Sequence, residues 1–202
     1  MFLSDISLHG LVVSGALVIS PLDDRLWRPA SYLLRLGDTF RQFNSAPVVD
    51  LLNPATVESN LQSAYRADEI ILPPNSFMLG ITLESISIPD DHIGFITGMS
   101  HLGRIGIAVH CTASLISPGF GSAQPTALTL ELRNWNLAPV RLYAGMPICH
   151  VMLSSLSGKS GRNYDTSFGF YSGVAIPSHS KYHDEFGGYL NSLAILTRRE
   201  FE

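Results

Sequence analysis

Ser76-Phe77-Met78-Leu79-Gly80-Ile81-Thr82-Leu83-Glu84-Ser85-Ile86-Ser87 partly alternates apolar and polar residues, with Phe77, Leu79, Ile81 and Leu83 falling on one side. A period of two is the signature of a strand with one wet face. Working outward, similar short runs recur at Ala16 to Ile19, Leu33 to Phe40, Ile70 to Leu72, Gly94 to Thr97, Leu128 to Leu132 and Pro147 to Leu153. Turn signals separate them, among them Pro73-Pro74-Asn75, Pro89-Asp90-Asp91, Ser117-Pro118-Gly119 and Ala144-Gly145. Many short strands between regularly spaced turns predict an all-β barrel, sandwich or jelly roll.

Helix is scarce in this pattern. Ser4 to Ser14 opens on a capping serine and stops near Gly15, which predicts a short N-terminal helix. Pro54 to Arg66 is a second, amphipathic candidate, and Ser100 to Gly106 has room for one or two turns. From Ser154 to His183 the chain is rich in Gly, Ser and Tyr and reads as a flexible or partner-ordered segment.

The 202 residues suit one ordinary domain, and the 46% hydrophobic and 15% charged content can build a sizeable core. A net charge of -4 argues against a dedicated nucleic-acid binder, which carries a basic face, but leaves room for a nucleotide pocket with a few cations. The longest apolar run is too short to span a membrane. Asp5 and His9 in a start without a basic region do not make a signal peptide. The expectation is a soluble, cytoplasmic protein with no membrane partner. Its two cysteines, Cys111 and Cys149, sit in apolar runs and read as buried structural thiols.

Three features bear chemistry. The seven histidines lack zinc-site spacing, and His179 with His183, four apart, lie in a Ser-rich tail, so no zinc is expected. Gly98-Met99-Ser100-His101-Leu102-Gly103-Arg104-Ile105-Gly106 gathers three glycines, a hydroxyl and a cation without a P-loop ending. It reads equally as a tight turn with a capping serine and as an anion-friendly site. Glu131 lies in the otherwise apolar Leu128-Thr129-Leu130-Glu131-Leu132. Facing inward it would be desolvated and suited to proton shuttling near neutral pH; facing outward, beside Thr129, it is a solvated glutamate.

Taken together, the motifs resemble the dCTP deaminase family. Pro29-Ala30-Ser31-Tyr32-Leu33-Leu34-Arg35-Leu36-Gly37 is similar to that family's Pro-Ala-Ser-x-Asp-Leu-Arg-Leu-Gly. Thr82-Leu83-Glu84, Ile88-Pro89-Asp90 and the Gly98 to Gly106 stretch follow in the family's order. So do His110-Cys111-Thr112-Ala113, Ile116-Ser117-Pro118-Gly119-Phe120, Leu128 to Asn134, and Ala144-Gly145-Met146. The resemblance implies a dUTPase-like distorted jelly roll that assembles as a homotrimer with shared sites. It makes residues 1–202 one domain, with 154–202 as C-terminal lid and divergent tail.

The implied chemistry is zinc-independent. A water held by Ser100 and the carbonyl of Ala113 attacks cytosine C4, while Glu131 takes its proton and passes it to the base, with Arg104 alongside. Met99, His101, Ser117, Phe120, Phe168 and Tyr171 take substrate-binding positions, and Mg2+ accompanies the nucleotide phosphates. The departures are as informative. Met99 stands for the family's arginine, His101 for its second serine, and Ser117 for the aspartate that activates water for diphosphate hydrolysis. Ser167-Phe168-Gly169-Phe170-Tyr171-Ser172-Gly173 lacks the lid's lysine and glutamine, and about four extra residues near Ala123 to Thr126 lengthen the turn before Glu131. The expected function is therefore deamination of dCTP to dUTP, or of a related cytosine nucleotide. A non-catalytic nucleotide binder on the same fold and a dUTP diphosphatase are the alternatives.

Overall fold

The apolar runs of the sequence become strands wherever a turn residue lets the chain reverse onto a neighbour. The computed structural model describes residues 1–46 and 48–193; the end of the expected lid and tail, 194–202, lies outside the described residues. In chain order the elements begin with α1 (Asp5–Val13), β1 (Val18–Ser20), β2 (Trp27–Arg28), β3 (Ser31–Arg35) and β4 (Thr39–Gln42). There follow α2 (Pro54–Ser59), β5 (Tyr65–Arg66), β6 (Glu69–Leu72), β7 (Phe77–Ser87), β8 (His92–Gly98), α3 (Ser100–Gly103) and β9 (Ile107–Ala108). The series closes with β10 (Leu115–Ile116), β11 (Thr126–Asn134), β12 (Val140–Tyr143), β13 (Pro147–Ser155), α4 (Tyr164–Ser167) and α5 (Tyr182–Asn191).

Two antiparallel sheets carry the architecture. One runs β5-β4-β7-β11-β9 with β1 also on β7, the other β10-β8-β13-β3-β2, and β6 pairs β12 separately. Leu33, Ile96 and Val151 of one sheet share a single buried core with Ile86, Leu130 and Leu132 of the other. This is the expected all-β, distorted jelly-roll class with its short N-terminal helix. Ser4 caps α1 by accepting from the Ser7 N–H, and Leu8 anchors the helix in the core.

Leu33 to Phe40, a single run in the sequence, is two strands. The chain leaves one sheet after Arg35 and enters the other at Thr39, crossing at Gly37, whose N–H donates to the Ile81 carbonyl at 2.7 Å. A Cβ at Gly37 would sit 2.9 Å from Ile81 Cγ2, so the crossing needs glycine. Pro54 to Arg66 also divides. The helix ends at Ser59 because the chain then pairs alongside β4: Asn44 N–H donates to Asn60 O at 2.7 Å and Gln62 N–H to Gln42 O at 2.9 Å. The tail, read as flexible or partner-ordered, contains α4 and α5.

The face assignment of β7 is the main correction. Met78, Thr82, Glu84 and Ile86 point between the sheets; on the opposite side Leu79 and Ile81 are buried too, whereas Leu83 is exposed. Two polar side chains can face inward there because both are bonded inside the protein. Glu84, 0% exposed, accepts from Arg35 N–H at 2.7 Å and Arg35 Nε–H at 2.6 Å. Thr82 Oγ1 donates to the Glu84 carbonyl at 2.7 Å and accepts from Leu128 N–H at 2.8 Å. Cys149 is buried as expected, and desolvation, then the Glu84 charge, pushes its thiol up to about 12.

Removing one member of a buried ion pair leaves the other uncompensated, at a cost of about 3–5 kcal/mol. Glu84→Ala is expected to lose stability of that order in urea unfolding; a loss below about 1 kcal/mol would show that Arg35 finds solvent instead.

Candidate active site

β11 positions the central group. Leu128, Leu130 and Leu132 point into the core, so the strand's alternation turns Ala127, Thr129 and Glu131 to the opposite face. That face forms part of a cavity of about 460 Å³. Glu131 is half-buried there, between the two alternatives its sequence left open. Its Oε2 accepts the Cys111 N–H at 2.6 Å, and its own N–H donates to the Val109 carbonyl at 3.0 Å. The Cys111 thiol lies beside the same carboxylate. The carboxylate is thus held at one oxygen by the Val109–Cys111 segment.

Cys111 corrects the expectation of two buried thiols: it is exposed. Partial desolvation, then the Glu131 carboxylate beside it, raises its pKa and favours the neutral thiol. It is the Cys111 backbone N–H that bonds Glu131.

The cavity floor continues across the sheet. Leu79 is the register partner of Glu131, and Phe77, partner of Arg133, stacks on Phe43 with centroids 5.1 Å apart. Val49, Leu51 and Val57 close it from the segment around α2, and Tyr171, Val174 and His179 from the tail. Arg41 ties these two covers together, donating from Nε to Gln62 O at 2.7 Å and from Nη1 to Pro177 O at 3.2 Å. The tail is further fixed to the lengthened turn before β11. Asp165 accepts from Gly121 N–H at 3.2 Å, Ala123 N–H at 2.9 Å and Ser172 Oγ–H at 2.6 Å. Gly173 N–H donates to Thr126 Oγ1 at 2.8 Å.

Of the residues singled out in the sequence, Glu131, Ala113, Phe120 and Tyr171 line this one cavity. Ser100, His101 and Arg104 are exposed on or next to α3 and lie outside it within a single chain. Met99 immediately precedes α3 and packs against the core. Ser117, half-buried, accepts Phe120 N–H at its carbonyl at 3.1 Å. Phe168 packs on Tyr164, 6.4 Å between centroids, outside the cavity. Sequence reasoning missed Phe43, Phe77, Leu79 and Val57 as cavity walls. The alternation of Phe77 and Leu79 was the available signal, but it marked a shared face without saying what covered it. His179 reaches the cavity wall, while His183 lies in α5 against Gly187. Among the described residues no three His, Cys, Asp or Glu gather as a metal-ligand set.

Known proteins place this arrangement in a family. The dCTP deaminase-like family model matches residues 2–156. A Mycobacterium ulcerans dCTP deaminase, dUMP-forming, is 37% identical over 191 residues, covering 92% of this chain and 98% of its own. A Dictyoglomus thermophilum protein of the same name is 35% identical over 206 residues, covering 96% of each chain. The crystal structure of 2'-deoxycytidine 5'-triphosphate deaminase from Agrobacterium tumefaciens shares the fold, with a TM-score of 0.59 at 18% identity. The match covers 75% of this chain and 47% of that longer one. The chain belongs to the dCTP deaminase-like family.

Asp165 carries three hydrogen bonds, two that staple the tail to the turn before β11 and one, from Ser172, within the tail. Asp165→Ala is expected to cost about 1–3 kcal/mol and to speed hydrogen exchange at the Gly121 and Ala123 amides selectively. Unchanged protection at those two amides would mean the staple is unimportant.

Proposed function

We propose that this protein is a zinc-independent deaminase converting dCTP to dUTP and ammonia at sites shared between copies of a cytoplasmic homotrimer. The observation that carries the reading is the half-buried Glu131, anchored at one carboxylate oxygen and opening on a cavity that Ala113 also lines. A carboxylate so placed can take a proton from water as the oxygen adds to cytosine C4, then deliver it to N3 as the ring loses aromaticity. Collapse of the tetrahedral intermediate expels ammonia. The Ala113 carbonyl and the Ser100 hydroxyl hold the water, and Arg104 stands beside them.

Ser100 and Arg104 supply the argument for sharing. Ser100 in α3 and Arg104 at its end are exposed, and neither lines the cavity of its own chain on which Glu131 opens, which supports a second copy bringing them to the site. Mg2+ enters with the phosphates as part of the substrate. The relatives' name includes formation of dUMP, which requires a second hydrolysis. Ser117 stands where the family resemblance puts an aspartate, and a hydroxyl with no carboxylate cannot serve as that base. The reaction accordingly stops at dUTP.

Two measurements test this. Incubation with dCTP is expected to release ammonia and leave dUTP without pyrophosphate; accumulation of dUMP would contradict the assignment of Ser117. Ser100→Ala and Glu131→Ala are each expected to lose at least about 100-fold in turnover, general-base contributions being about 10²–10⁴. Mixed oligomers of the two are expected to regain activity, because some sites then hold both native groups. Mixed oligomers as inactive as either parent would exclude a shared site.

A further inference from the structure

The cavity beside Glu131 is chemically one-sided. Phe43, Phe77, Leu79, Leu51 and Val57 line it, and among the described residues no lysine or arginine does. A triphosphate therefore finds no cation among these walls, and the cavity suits the uncharged part of a nucleotide. The Ser178 hydroxyl lies buried at its wall without a hydrogen-bond partner among the described residues. Buried polar atoms are nearly always paired, so this one calls for a polar atom from a ligand. At about 460 Å³ the space falls among pockets of about 300–1,000 Å³ that take drug-sized ligands, well beyond one planar six-membered ring.

Deamination chemistry orients the ring. Glu131 has to reach the water attacking C4 and then N3, so the N3–C4 edge faces the carboxylate. N1 carries the sugar. C5 is the ring position next to C4 on the side away from N3, and a ring turned with that side along the sheet meets the apolar walls. Leu79 lies directly across from Glu131, and the Phe77–Phe43 stack sits beside it. Leu51 and Val57 add further apolar wall to the same cavity. A bare C5–H leaves this surface uncovered, whereas an alkyl group fills it.

We propose that the cavity selects cytosine deoxynucleotides bearing an apolar substituent at C5, of which 5-methylcytosine is the smallest. The inference rests on the deaminase reading above and names the substrate of that same site. Water adds at C4, the C4–N bond breaks and ammonia leaves, with no change of oxidation state and no bond at C5 altered. The methyl substrate thus yields the thymine nucleotide.

The test compares initial rates of ammonia release by the whole protein on dCTP, 5-methyl-dCTP and 5-propynyl-dCTP. Burying one carbon raises kcat/KM about fourfold, so the methyl substrate is expected to exceed dCTP by about that factor and the propynyl substrate to exceed both. Leu51→Asn and Val57→Asn are expected to bring the methyl-to-unsubstituted ratio toward one. That ratio is taken within one preparation, so a partly unfolded variant still reports it. Turnover of dCTP with 5-methyl-dCTP equal or slower would overturn this inference and leave the deaminase reading standing. Ammonia from none of the three would overturn both.

Discussion

Thr82 fixes the relation between the two long strands on which everything else rests. Its buried hydroxyl accepts the Leu128 N–H and donates to the Glu84 carbonyl, bridging the point where the β7–β11 pairing changes register. On one side Thr126 and Ala127 face Ile86 and Ser85; on the other Thr129 and Glu131 face Ile81 and Leu79. A strand's side chains alternate, so a slip of one residue would send Leu130 and Leu132 outward and drive Glu131 into the core. The irregularity also turns Glu84 inward to Arg35, which ties β7 to the beginning of the crossing between sheets. One threonine hydroxyl thereby couples the core, the ion pair and the face that lines the cavity.

That coupling explains how a strand rather than a loop can hold the Glu131 carboxylate in place. Elements whose rotamers and register are set by packing hold a functional group more precisely than loops do. Glu131 has the sheet beneath it and the Cys111 amide at its side. The covers over the cavity are built differently, from a segment around α2 and from the tail, joined by Arg41. Rigid floor and stapled cover thus differ in construction: the sheet holds the Glu131 carboxylate, and the cover shapes the space above it.

Most strands were legible because their apolar runs end at Gly and Pro turns, and α1 because Ser4 announces it. Inside and outside on β7 were not. Apolar Phe77 and Leu79 occupy the cavity face while polar Thr82 and Glu84 occupy the core, a reversal visible only once their hydrogen-bond partners 46 and 49 residues away are known. The helix read over Pro54 to Arg66 stopped short because long-range pairing with β4 outcompeted local propensity. The family motifs picked out Glu131 and Ala113 and placed both on the cavity. They were silent on its apolar walls, since nothing local in Leu51 or Val57 distinguishes a cavity wall from a core residue.

The claim at the centre is that the Glu131 carboxylate moves the proton while other groups bind the nucleotide. The most direct measurement is Glu131→Gln, assayed for both nucleotide affinity and ammonia release on one preparation. The amide keeps the shape and can still accept from Cys111 but cannot take a proton. The account predicts binding close to that of the native protein with turnover reduced by about 100-fold or more. Native turnover in that variant would contradict it.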